Sequence, residues 1–130
     1  MARPMKLLLL GILLSATALA KTDSNNDGND FLDTCQHVET VIETGRGTPL
    51  EQFNLGYCSG FATGILESNA AYAALPNYDK AFAFCVPEDG VKPGQLIRIA
   101  VKYMKEHPEK LHLRAAVLIH VAMREAFPCK

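Results

Sequence analysis

Four cysteines constrain the fold of this 130-residue chain more than any other feature of its sequence. They all lie well downstream of the N-terminus, at Cys35, Cys58, Cys85 and Cys129. In an exported protein an even number of cysteines indicates a disulfide framework, whereas cytosolic thiols usually stay reduced. Four cysteines form two bridges in one of three pairings. Whether these cysteines form disulfides therefore depends on whether the protein is exported.

The N-terminal segment predicts export. Two basic residues precede an apolar stretch over residues 7–14, and Ala18-Leu19-Ala20 matches a small-x-small cleavage site. We place the cut after Ala20, which makes residues 1–20 a signal peptide. The apolar stretch is far shorter than the roughly 20 residues of a membrane-spanning helix, and no later stretch is longer. We therefore expect no membrane segment after cleavage.

The remaining residues are too few for more than one domain. Removing residues 1–20 from 130 leaves 110, the length of a single domain. Without Arg3 and Lys6 the 13 basic residues fall to 11 against 14 acidic residues, a net charge of −3. No basic patch of the kind that binds nucleic acid is present. Residues 21–29 have no apolar side chain to bury, which predicts a disordered lead-in before a helical domain over residues 30–130.

Two helices are predicted in the first half of this domain. Four apolar residues, spaced four, three and four apart, form one helical face: Phe31, Cys35, Val38 and Ile42. They predict a helix over residues 30–44. The sequence Thr48-Pro49-Leu50-Glu51 is a capping box with proline at the first helical position, so a second helix begins there. It is predicted to run to about residue 74, because Pro76 stops it.

The second half predicts a loop and two more helices. Residues 76–92 form the loop, a third helix runs from Pro93 to about residue 107, and the last helix runs from about 113 to 127. No stretch alternates with period two for long enough to indicate a strand. We predict an all-α fold, a small disulfide-stapled domain of four helices or slightly more.

A row of glycines marks one face of the predicted second helix. Gly56, Gly60 and Gly64 recur at a spacing of four, and each costs about 1 kcal/mol relative to alanine in a helix. The row predicts that another backbone approaches closely, either from a helix of the same chain or from a second subunit of a homodimer. Simple tolerance of a weak helix is the alternative.

The predicted helices favour one disulfide pairing. Cys35 and Cys58 lie on two helices joined by a short connection, which favours a bridge between them. Cys85 in the loop would then pair with Cys129 at the end of the last helix. The other two pairings stay open at this point.

No residue pattern predicts catalysis or metal binding. A nucleophilic Cys58 would need a free thiolate, and it would leave an odd cysteine in an oxidising compartment. The histidines form no His-x-x-x-His pair and have no carboxylate at a zinc-site spacing: His37, His107, His112 and His120. We expect a protein that is not an enzyme and that holds no metal or cofactor.

The polar segment 105–113 is the predicted contact region for a partner. Pro108 makes this connection rigid, and its side chains offer both hydrogen-bond donors and acceptors. The predicted partner-binding residues are Glu106, His107, Glu109 and His112. A plain solvated turn is the alternative.

Over nearly all of the predicted mature chain the sequence resembles the Rap/Tai immunity-protein family. The resemblance rests on a spaced series of residues: Phe31-Leu32, Cys35, residues 57–65, Cys85-Val86-Pro87-Glu88, Gly90-Val91, Gln95-Leu96, Tyr103, His107-Pro108 and Phe127-Pro128-Cys129. It implies a bacterial, periplasmic, helical protein that binds and inhibits a peptidoglycan amidase delivered by type VI secretion. A periplasmic structural or chaperone-like helical module without an amidase partner is the alternative.

Overall fold

The computed structural model describes residues 26–130, which form five α-helices. In chain order these are α1 Gly28–Cys35, α2 Glu39–Thr44, α3 Pro49–Ala73, α4 Pro93–Glu106 and α5 Ala115–Ala126, with a short 3₁₀ helix, Pro108–Lys110, before α5. The predicted all-α class is confirmed, since no strand forms within the described range. The predicted signal peptide, 1–20, and residues 21–25 of the lead-in lie outside the described residues. From residue 26 onward, no helix has the length and apolarity to cross a membrane.

The longest helix, α3, begins at the predicted capping box. The Thr48 hydroxyl accepts a hydrogen bond from the Glu51 N–H at 3.2 Å, and the Glu51 carboxylate accepts one from the Thr48 N–H at 2.7 Å. These bonds satisfy backbone donors that have no partner inside the helix. The helix then packs against α1, α2, α4 and α5.

The apolar faces of α1, α3, α4 and α5 meet in one core. Its largest fully buried side chains include Phe31, Leu96, Ile97, Met104, Leu118, Ile119 and Met123. Burial of a side chain of this size contributes roughly 1.5–3 kcal/mol to folding. The core therefore fixes the four helices relative to one another.

The first predicted helix is wrong in one respect, because residues 30–44 form two helices. The chain turns at residues 36 and 37 between α1 and α2. In one continuous helix Val41 would lie about 80° away from Phe31, off the predicted apolar face. The turn reorients the second half so that Val38 and Val41 are both buried. No glycine or proline marks this break, so the sequence pattern did not show it.

The predicted lead-in is also too long at its C-terminal end. Helix α1 begins at Gly28, because Asp27 caps it by accepting a hydrogen bond from the Asp30 N–H at 3.1 Å. Residues 26–29 are held by hydrogen bonds to distant backbone rather than by apolar burial. A prediction based on the absence of apolar residues could not anticipate contacts of this kind.

The glycine row of α3 is exposed rather than covered. Side chains added at Gly56, Gly60 and Gly64 would meet no atom of the described chain within 4 Å. The prediction that a helix of the same chain approaches this face is therefore wrong. The alternative that a second subunit covers it stays a prediction.

The favoured disulfide pairing is confirmed. Cys35 at the end of α1 is bonded to Cys58 of α3, with their Cα atoms 5.8 Å apart. Cys85 in the loop between α3 and α4 is bonded to Cys129 beyond α5, with their Cα atoms 4.9 Å apart. The first bridge is buried in the core, whereas Cys85 is exposed.

The loop between α3 and α4, residues 74–92, is fastened to α3 by one side chain. Asn69, which is 7% exposed, is the only buried polar residue of the described range. Its amide donates to the Phe84 carbonyl at 2.8 Å and accepts from the Phe84 N–H at 3.0 Å. The Cys85 N–H also donates to the Phe127 carbonyl at 2.8 Å. The middle of this long loop is therefore fixed against both α3 and the C-terminal segment.

Candidate partner-binding surface

The predicted contact region, residues 105–113, covers the end of α4 and most of the connection between α4 and α5, residues 107–114. Helix α4 ends at Glu106 because Pro108 disfavours the helical conformation for the residue before it. His107 accordingly adopts φ −128° and ψ 59°. The chain then makes one 3₁₀ turn over residues 108–110 before α5 begins at Ala115.

An aromatic stack holds the first half of this connection. The His107 ring lies against the ring of Tyr103, with centroids 4.1 Å apart and an interplanar angle of 25°. His107 Nδ1 is 2.8 Å from the Tyr103 carbonyl oxygen. Because that oxygen can only accept, Nδ1 carries a proton and donates a hydrogen bond to it. Nε2 takes no part in this bond. The stack therefore sets both the orientation and the tautomer of His107.

Lys110 closes the 3₁₀ turn over the same tyrosine. Its ammonium donates to the Tyr103 hydroxyl at 3.0 Å and lies 5.3 Å from the ring centroid. The hydrogen bond to Tyr103 raises the pKa of Lys110 above its ordinary value, so the side chain stays charged. Tyr103 is buried, which anchors both neighbours to the core.

Residues 26–29 hold the second half of the connection. The N–H groups of Gly28 and Asn29 donate to the carbonyls of Leu113 and Leu111 at 2.9 and 3.2 Å. The Ala115 N–H donates to the Asn26 carbonyl at 2.9 Å. We call residues 26–29 the N-terminal clamp. The clamp supplies backbone partners on both sides of His112 and leaves this imidazole exposed.

The clamp is itself anchored on α3 and fits tightly. The Tyr57 hydroxyl donates to Asn26 Oδ1 at 2.7 Å. Burial and the nearby Asp30 carboxylate raise the pKa of Tyr57, so the phenol keeps the proton that it donates. A Cβ atom on Gly28 would come within 2.4 Å of Leu118 Cδ1 and 3.0 Å of Leu111 Cα. Only glycine therefore allows this close approach.

Three of the four predicted contact residues project to solvent. Glu106, Glu109 and His112 are exposed, and Glu106 is paired with Lys102 at 2.6 Å. The fourth, His107, is half-buried in the stack on Tyr103. The structure therefore places these residues differently: His107 orders the connection, whereas Glu109, His112 and the Lys102-paired Glu106 lie at the surface.

Sequence reasoning missed the residues that make this connection rigid. The spacing of four between Tyr103 and His107 is a usable signal, because such residues are neighbours on a helix. The contacts of Asn26 and Gly28 carry no comparable signal, since they join segments 31 or more residues apart. Rigidity of the connection is thus a property of the fold.

The chemical groups that this surface presents are polar and exposed. Cys58 is bonded to Cys35, so it offers no thiolate. Between residues 26 and 130, no group of three or more histidine, cysteine, aspartate or glutamate residues is placed to hold a metal ion. What the connection and the adjoining end of α4 offer is two carboxylates and an imidazole on a fixed backbone, which suits polar recognition of a protein surface.

A family model described as Rap1a immunity proteins matches residues 27–129. The chain belongs to this family. The matched range begins at Asp27, the cap of α1, and ends at Cys129, so it includes every helix of the described domain and both disulfides. Membership of the Rap1a immunity proteins indicates an immunity function. Comparison with curated proteins and with solved structures gave no match.

Proposed function

We propose that this protein is a periplasmic immunity protein that binds a peptidoglycan amidase delivered by type VI secretion and blocks its active-site cleft. The observation that carries the proposal is the family match over residues 27–129. The resemblance of the cysteine, proline and glycine series to the Rap/Tai proteins adds the amidase as the class of target. An immunity protein acts by binding, so no catalytic group is required of it.

The periplasmic part of the proposal is supported by two features of the chain. Residues 1–20 have the pattern of a cleavable leader. All four cysteines are paired in disulfides, which persist in oxidising compartments such as the bacterial periplasm. A peptidoglycan amidase acts in that same compartment, so the two proteins would meet there.

We propose the α4–α5 connection as the element that enters the amidase cleft. It joins two helices, its backbone is fixed by the clamp and by the Tyr103 stack, and its exposed side chains combine acceptors with an imidazole. A fixed segment loses little conformational freedom on binding, and this raises affinity without additional contacts. Occlusion of the cleft by such a segment excludes the cell-wall peptide from the amidase.

The test compares two triple variants of the mature protein. The first, E106A/E109A/H112A, removes the exposed contact groups. The matched control, H37A/E43A/E67A, removes one histidine and two glutamates that are exposed elsewhere. The partner is the amidase recovered with the wild-type protein from periplasm of the producing cell, after induction of its secretion system. Affinity is measured by calorimetry, and inhibition by hydrolysis of purified peptidoglycan.

We expect the wild-type protein to inhibit the amidase, and the first variant to bind about tenfold or more weakly, equivalent to roughly 1.4 kcal/mol. The control should bind as the wild type does. Unchanged affinity of the first variant would exclude the connection as the contact element. Failure to recover any amidase, including amidases encoded beside this protein, would favour the structural or chaperone-like module instead.

A further inference from the structure

A second exposed surface lies between the C-terminal half of α3, the 74–92 loop and α5. It is a cleft of about 440 Å³ lined mainly by apolar and aromatic side chains. We call it the aromatic cleft and define it by Ile65, Tyr72, Phe82, Val117, His120 and Arg124. Phe82 is 63% exposed and Val117 50% exposed, although both are large and apolar. Exposed apolar groups gathered around one depression are typical of an interaction site.

The walls of the aromatic cleft are fixed before any partner arrives. His120 Nε2 donates to the Phe82 carbonyl at 2.6 Å, since that oxygen can only accept. The His120 ring also lies edge-on to Phe84, with centroids 5.4 Å apart. Asn69 in turn binds both backbone groups of Phe84. The loop wall is therefore tied to α5 and to α3, so binding would cost little ordering of the cleft.

The charge of the cleft favours an anionic neighbour. Arg124 is the one formally charged residue of the lining, and it has no ion pair with any residue from 26 to 130. An adjoining depression of about 390 Å³ shares Val121 and Arg124 with the cleft and adds Lys80 and Glu125. An unpaired guanidinium beside an apolar surface complements a partner that presents a carboxylate next to an apolar side chain.

The shape favours a protein partner over an enclosed small molecule. Small-ligand sites bury most of the ligand surface. Here the rim residues Phe82 and Val117 remain half or more exposed, so the cleft is shallow and open. Tyrosine, arginine and other large side chains around a central depression are the composition of interface hot spots, into which one anchor side chain of the partner inserts.

We propose that the aromatic cleft is a second contact surface for the effector, and that it takes an aromatic or branched apolar side chain of the effector while Arg124 pairs with an adjacent carboxylate. This inference rests on the proposed function, because it assumes that an effector is the partner. It adds a surface distinct from the α4–α5 connection. Two separate contacts would let so small a domain hold an enzyme tightly, since a few anchor residues supply most of the binding energy.

Three variants and two controls test the cleft in the full mature protein. Val117→Glu places a charge in the cleft, and an acid in the first turn of α5 favours the helix, so this variant is expected to fold. Phe82→Ala and Arg124→Glu remove the apolar rim and the cation. The controls are Phe53→Ala, a phenylalanine at the far end of α3 that is even more exposed than Phe82, and Arg46→Glu, an exposed arginine before α3. Thermal unfolding verifies that each variant is folded.

The first measurement is the affinity of these proteins for the amidase recovered with the wild type. We expect Phe82→Ala, Val117→Glu and Arg124→Glu each to weaken binding roughly thirty-fold or more, the range of interface hot spots, and the controls to change it less than threefold. If the wild type binds and all three cleft variants bind equally well, the inference is overturned while the proposed function stands. If the wild type binds no amidase, it is the proposed function that fails.

The second measurement examines the chemistry of the cleft without the amidase. Amide NMR shifts of the wild-type protein are followed with indole-3-acetate, with its neutral amide, and with laurate. We expect indole-3-acetate at millimolar concentration to shift Phe82, His120 and Arg124 more than the amide does, and Val117→Glu to abolish the response. The inference would be overturned if indole-3-acetate caused no response, which would mean that the cleft binds no such ligand. Tighter binding of laurate would overturn it in favour of a lipid. A change of oligomeric state in Phe82→Ala, measured by light scattering, would overturn it in favour of a second copy of the chain.

Discussion

Two connections between helices present the candidate binding surfaces, and they differ in the kind of attachment that dominates. The α4–α5 connection is short, and backbone hydrogen bonds from the N-terminal clamp hold it at Leu111, Leu113 and Ala115. The 74–92 loop is long, and it is held mainly by the Asn69 side chain and by the Cys85–Cys129 disulfide. The first connection has several modest attachments, whereas the second has a few strong ones.

This difference determines how each surface responds to change. Backbone hydrogen bonds are individually worth about 1 kcal/mol net, so losing one leaves the α4–α5 connection largely in place. In the 74–92 loop, by contrast, the loss of the Asn69 amide or of the disulfide alone should leave much of the loop without attachment. The aromatic cleft, whose wall is this loop, should therefore be the more easily disrupted of the two surfaces, and substitutions there should have the larger effects.

The largest effect is expected from removal of the Cys85–Cys129 bridge in C85A/C129A. The bridge spans a sequence separation of 44 residues, for which chain entropy predicts a loss of about 4 kcal/mol in the free energy of unfolding. Urea unfolding measures this loss. Hydrogen exchange through local opening should accelerate over residues 74–92 and remain unchanged over residues 107–114.

Mild reduction of the wild-type protein provides a parallel experiment. Cys85 is exposed, whereas Cys35 and Cys58 are buried, so dithiothreitol should open the Cys85–Cys129 bridge first. Alkylation followed by mass spectrometry identifies the reduced pair. Equal acceleration of exchange in both connections would show that they are fixed together, and the contrast between them would then be wrong.

The next largest effect is expected from Asn69→Ala. The substitution leaves the N–H and the carbonyl of Phe84 without partners in a buried position, which should cost about 3 kcal/mol. The matched control is Asn54→Ala, on the same helix, where the asparagine side chain makes no hydrogen bond within residues 26–130. The control should change the free energy of unfolding by less than about 0.5 kcal/mol. Similar losses in both variants would show that Asn69 does not fasten the loop.

The helices and the disulfides were largely predictable from the sequence, because their signals are local. The capping box at Thr48 fixed the start of α3, and Pro93 and Pro108 marked the bounds of α4. Helix placement alone favoured the pairing that the structure confirms. The break between α1 and α2 was missed because it depends on how Val41 packs against other helices, which no pattern of neighbours along the chain records.

The candidate surfaces were predictable only in part. Exposure of Glu106, Glu109 and His112 followed from their polarity, and the structure agrees. The aromatic cleft was not predicted, since Tyr72, Phe82 and His120 come from three segments that meet only in the folded chain. The glycine row drew attention to an open face, whereas the glycine that a close contact requires is Gly28, in a segment expected to be disordered.

That contrast between glycines supplies the prediction with the smallest effect. Gly28→Ala forces a Cβ to within 2.4 Å of Leu118 Cδ1 in the core and 3.0 Å of the Leu111 backbone, so we expect a loss of about 2 kcal/mol in the free energy of unfolding. Exchange of the Asn29 and Ala115 amides should also accelerate. The same substitution at Gly60, where no atom lies within 4 Å, should stabilise α3 by up to about 1 kcal/mol. Both substitutions replace glycine by alanine, so they change helix propensity in the same direction. Opposite signs of the change in the free energy of unfolding would therefore show that the loss at Gly28 comes from its close packing in the clamp. Stabilisation by both substitutions would show that the clamp tolerates displacement, and that the α4–α5 connection is not held by it.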